Sequence, residues 1–85
     1  MEENFLIKLE TKEEQIVKTW WSKNITELLH LFLMAKDNEI PIDIPCESGF
    51  NHSKYDGAEA YVDSVRIRAG GVESLLVLNV IVEVI

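Results

Sequence analysis

The stretch SLLVLNVIVEVI, residues 74–85, limits what this chain can fold into more than any other. In extended backbone successive side chains point to opposite faces. Leu76, Leu78, Val80, Val82 and Val84 then share one face; Leu75, Val77, Asn79, Ile81, Glu83 and Ile85 share the other. Both sets are mainly apolar, the pattern of a strand covered on two sides. A long, proline-free strand of this kind would template aggregation at a bare sheet edge. It is therefore expected at the centre of a sheet, or paired with another chain.

Its hairpin partner lies just upstream. Tyr61 to Arg68, YVDSVRIR, is again rich in β-branched residues, and AGGVE separates the two runs. The Gly70-Gly71 pair suits a hairpin turn, because glycine adopts positive φ without a Cβ clash. This C-terminal β-hairpin is the most firmly indicated element.

A helix is expected over about 25–37. Asn24 followed by Glu27 resembles a capping arrangement, with the Asn side chain accepting from an early helical N–H. Leu28, Leu29, Leu31, Phe32, Leu33 and Met34 form an apolar set wider than one amphipathic stripe. Asp37-Asn38 supplies a stop, and Pro41 and Pro45 prevent continuation. Upstream, Phe5, Ile7 and Leu9 alternate as a strand does. EEQIVKTWWSK admits a helix capped by Thr11, or a second strand closing a hairpin on residues 5–10. TKEE lacks the usual Gly, Asn or Asp of a tight turn, yet the β-branched and aromatic content favours the strand. EIPIDIP then reads as a short edge piece, since its prolines remove ladder donors.

The expected order is β-β-α-β-β-β, an α+β fold. A small mixed or antiparallel sheet carries one helix on one face, in a single domain over residues 1–85. One helix covers only one face. The other should expose part of the C-terminal strand's apolar set and one of the adjacent Trp20 and Trp21, which point to opposite faces. An uncovered patch of that kind suggests self-association, with a homodimer as the expected form.

Charge narrows the function classes. The net charge of −7, with eight Lys and Arg in total, argues against direct nucleic acid binding by phosphate neutralisation. It favours a basic protein partner, with scattered carboxylates supplying complementarity. No apolar run reaches the length of a membrane span, and the acidic N-terminus is unlike a signal peptide. With one cysteine, no intrachain disulfide is possible, and a cytoplasmic location is expected. The sequons Asn24-Ile-Thr26 and Asn51-His-Ser53 read as chance matches in that setting.

Chemistry-bearing residues concentrate in CESGFNHSKYDGAEAY, residues 46–61. Cys46 and His52 do not make a convincing nucleophile and base, since Glu47 would disfavour the thiolate and a small scaffold has little to hold a third group. One Cys and two His, with His30 on the helix, fall short of the usual structural zinc set, so no metal or other cofactor is expected. As a binding loop the stretch is more plausible, through His52 and Tyr55. Arg66 and Arg68 alternate on a strand beside the Gly-Gly pair, where a small anionic ligand such as a nucleotide could be held. Their simpler reading is cross-strand pairing with carboxylates. Trp20 and Trp21 offer a hot spot for a partner.

The expectation is a non-enzymatic, acidic cytoplasmic protein acting by protein–protein binding. It fits an inhibitor of a basic or nucleic-acid-binding protein, of the accessory kind carried by phages and mobile elements. The alternative is a homo-oligomer that sequesters a nucleotide or other small anion.

Overall fold

A computed structural model describes residues 5–46, 54–69 and 76–85. The elements are β1 (Phe5–Glu10), β2 (Ile16–Ser22), α1 (Ile25–Asp37), β3 (Ile42–Asp43), β4 (Glu59–Ala69) and β5 (Leu76–Val84). They form an α+β fold in which one helix packs on a five-stranded mixed sheet of order β2-β1-β5-β4-β3. β1 runs parallel to β5, and the other neighbours are antiparallel. The doubly apolar strand β5 is central, as its pattern requires. The proline-flanked β3 is a two-residue edge, paired with β4 through Ile42↔Ala60 and Asp43↔Glu59. The Gly70-Gly71 turn expected between β4 and β5 lies outside the described residues.

The β1–β2 hairpin turns without Gly or Asn. Glu14 takes the left-handed conformation, φ 64°. The Glu14 N–H donates to the Thr11 carbonyl at 3.0 Å, and the Thr11 N–H to the Gln15 carbonyl at 2.9 Å. The Thr11 hydroxyl also accepts from the Gln15 N–H at 3.2 Å. This is a three-residue loop in which Thr11 supplies the extra acceptor and Glu14 carries the cost of positive φ.

Each hairpin contains a bulge, and the bulges decide which side chains are core. In β2 the register passes from Leu9↔Lys18 to Glu10↔Ile16, so Val17 is the extra residue. Val17 and Lys18 are consequently both buried, although adjacent. In β4 the register passes from Val62↔Val82 to Ser64↔Ile81, so Asp63 is extra. Before it Ala60 and Val62 face the helix; after it Val65, Ile67 and Ala69 share the row of Val80, Leu78 and Leu76. Arg66 and Arg68 are thereby turned to the open face.

The core lies between helix and sheet. Ile7, Leu9, Leu78, Val80, Val82, Ala60 and Val62 meet Phe32, Ala35 and Ile44, with Ile25, Leu28 and Leu29 packed at the margin. Spacing of 25, 28/29, 32 and 35 is one helical face. The helix starts at Asn24, whose carbonyl accepts from the Leu28 N–H at 3.1 Å, but the Asn24 side chain makes no capping bond. The expected capping arrangement is therefore corrected: the Ser22 hydroxyl accepts from the Asn24 N–H at 3.1 Å instead. At the other end Glu39 is left-handed, φ 55°, and the Ile40 N–H returns to the Ala35 carbonyl at 3.0 Å. The Asn38 amide also donates to the Met34 carbonyl at 2.9 Å, closing the helix in a Schellman-type stop. Among the described residues, no helix is long and apolar enough to cross a membrane.

Candidate functional site

Two surfaces of different chemistry result from this packing. The first flanks the helix. The helical apolar set is wider than the core stripe, so Leu31 and Met34 stay about half exposed. After the Schellman stop, residues 40–45 run back as an extended strap, with Ile40 also exposed. Between helix and strap lies a groove of about 470 Å³, with Leu9 and Phe32 buried in it and Leu28, Leu31, Met34, Ile40, Pro41, Ile42, Pro45 and Trp20 around it. Asn38 and Asp43 are its polar lining. Residues 25–45, which supply most of the groove, contain Glu27, Asp37, Glu39 and Asp43 against one lysine, Lys36. The groove is thus apolar, with Asp43 the acid in its lining, and belongs to a segment that is acidic along the chain.

The strap is anchored by backbone bonds, Ile44 N–H to the Ala58 carbonyl at 2.8 Å and Gly57 N–H to the Ile44 carbonyl at 3.0 Å. Gly57 has φ +80°, and a Cβ there would stand 3.2 Å from the Cys46 Sγ. The same turn is tied to the far edge of the sheet by an ion pair. Lys18 Nζ on β2 donates to Asp56 Oδ1 at 2.7 Å, with the lysine side chain 1% and the aspartate 15% exposed. Joining the 54–57 turn to β2 closes the end of the core.

The second surface is the open sheet face. Registers place Arg68, Val77, Leu6 and Trp21 in one row across β4, β5, β1 and β2, and Arg66, Asn79, Lys8 and Thr19 in the next. Trp21 is 56% exposed, while Leu6, Val77 and Ile81 are half-buried. Lys8 pairs with Glu10 at 3.5 Å and Lys12 with Asp63 at 3.5 Å. The buried Asn79 amide donates to the Lys8 carbonyl at 3.4 Å. A concavity of about 320 Å³ lies at one end, lined by Arg66, Arg68 and Lys12 together with Glu10, Glu14 and Asp63.

The expected site residues therefore separate. Trp21, Arg66 and Arg68 share the open face, whereas Trp20 lines the helix-flank groove against the core, so the two tryptophans do point opposite ways. Tyr55 is half-buried on the core beside Thr11 and Val82, with Lys54 Nζ 5.0 Å from its ring centroid. His52 lies outside the described residues. Cys46 and His30 are exposed, and no group of three metal-ligating side chains occurs among the described residues. Sequence reading missed the groove residues Leu31, Met34 and Ile40. Their signal was present as apolar helix positions in excess of one stripe, followed by a proline-rich strap.

No protein-family model, curated protein or solved structure matches this chain.

Proposed function

We propose that this chain acts by non-covalent protein binding, through the groove between α1 and the 40–45 strap. The observation that carries the reading is the groove itself: a half-exposed apolar cleft of about 470 Å³ within a segment bearing four acids and one lysine. Its occupant is an apolar segment flanked by Lys or Arg, from a basic protein of the nucleic-acid-binding kind. The apolar anchors would supply the affinity, and the carboxylates the on-rate and the choice of partner. Covering a basic surface that otherwise meets phosphate makes the bound chain an inhibitor.

The occupant is a different protein rather than a second copy. A two-fold contact at the groove would set two acid-rich 25–45 segments side by side, with only Lys36 in each to offset Glu27, Asp37, Glu39 and Asp43. Like charges in such contacts cost several kcal/mol. On this reading the acidic balance of the groove favours binding of a basic partner there over the homodimer expected from layer counting.

The test is affinity capture from the source cells with the chain and with a Leu31→Asp/Met34→Asp double variant. Both sites are half exposed, so the variant should fold. Capture of one dominant basic protein, lost in the variant and weakened by salt, is the expected result. Retention of that partner by the variant, or a 9.7 kDa chain sedimenting as a dimer at micromolar concentration, overturns the proposal.

A further inference from the structure

The open sheet face differs in chemistry from the helix-flank groove. Its four cations divide into two pairs. Lys8 and Lys12 are matched by Glu10 and Asp63. Arg66 and Arg68 are not: their direct cross-strand neighbours are Asn79 and Val77, and among the described residues no carboxylate forms a salt bridge with either. The ordinary explanation for alternating arginines on a strand is cross-strand pairing with acids, and the register sets no carboxylate directly opposite either one. The Asp63 bulge is what places both guanidiniums on this face; uninterrupted alternation would turn them into the core with Val62.

Trp21 stands on β2 in the row of Arg68, three strand spacings away, about 14 Å between backbones. Leu6 and Val77, both half-buried, form the floor between them. One end of the row presents an exposed indole; the other presents Arg68, with Arg66 one row on, two guanidiniums without a salt bridge among the described residues and suited to bidentate phosphate contacts. Allowing for the inward reach of the arginine side chains, the gap corresponds to one extended nucleotide. Glu10, Glu14 and Asp63 line the same concavity as the arginines, and with the net charge of −7 they disfavour a long polyanion over a short one.

The geometry points to a nucleotide site on the open sheet face, with the base stacked on Trp21 and the phosphates held by Arg66 and Arg68. This binding is independent of the helix-flank groove, so either reading can fail without the other.

The experiment titrates tryptophan fluorescence with ATP, inorganic triphosphate, adenosine and a single-stranded oligonucleotide. A Trp20→Phe background isolates Trp21. Saturable quenching by ATP, at least tenfold weaker for triphosphate and for adenosine, is expected. An Arg66→Gln/Arg68→Gln variant, altered only at exposed positions, should lose at least tenfold in ATP affinity and keep its thermal midpoint. Absence of saturation by ATP, ATP affinity unchanged in that variant, triphosphate or adenosine binding as well as ATP, or tighter binding of the oligonucleotide each overturns the assignment.

Discussion

Leu78 and Val77 are neighbours on β5, yet their truncation should have very different consequences. Leu78 is fully buried beneath the helix, between Ile7 on β1 and Ile67 on β4. Leu78→Ala removes three carbons, about 2.4 kcal/mol of transfer free energy at ~0.8 kcal/mol each. A central strand held on both sides collapses poorly around the void, bringing the total to about 3–5 kcal/mol. A domain of 85 residues has roughly 4–13 kcal/mol in hand, so this is a large share. Val77 sits on the open face between Leu6 and Arg68, and Val77→Thr preserves its shape and strand preference. With water reaching the new hydroxyl, the cost stays under about 1 kcal/mol. Urea unfolding followed by far-UV circular dichroism checks both. At about 1 kcal/mol per molar urea, Leu78→Ala should lower the midpoint by roughly 3–5 M and Val77→Thr by less than about 1 M. Equal losses would refute the reasoning, because they would mean that the open face is buried against another surface.

Two further outcomes follow from the 54–57 turn. Asp56→Ala leaves the buried Lys18 ammonium without this carboxylate and should cost about 2–4 kcal/mol, whereas Lys18→Met leaves a carboxylate that already reaches water and should cost less than half as much. Thermal unfolding of the pair ranks them, and a costlier Lys18→Met would reverse the account. Gly57→Ala meets both a positive φ and the Cys46 Sγ at 3.2 Å, for about 1–2 kcal/mol or a midpoint lower by roughly 5–15 °C. A Cys46→Ala background relieves only the contact, so most of that loss should persist; full rescue would show that φ carries no cost there.

Much of the fold was legible because hydrophobic periodicity is a local property. β5 announced itself as central by being apolar on both faces, and the prolines around Ile42 confined β3 to an edge. The helix over Ile25–Asp37 could be bounded from its apolar run and polar stop. Capping was misread because the Asn24 backbone, φ −101° and ψ 54°, departs from the extended conformation typical of a capping residue, and its side chain makes no capping bond. The turn at Thr11–Glu14 was obscure because Glu14 is an uncommon residue for positive φ. Of the expected binding residues, Trp21, Arg66 and Arg68 were brought onto one face, while Trp20 and Tyr55 went to other parts of the core margin.

What the sequence determined by itself was the inventory of strands and helix, the centrality of β5 and the acidic balance, since each follows from spacing or count along the chain. What only the tertiary structure decided was the phase of each strand. Val17 and Asp63 each insert one residue into a ladder, and one residue reverses every side chain beyond it. That is why Lys18 is buried against Asp56, and why Arg66 and Arg68 face outward with Trp21. The groove arose likewise from the way a broad apolar helix lies over a twisted sheet and leaves one flank uncovered, a relation between distant segments that no local pattern contains.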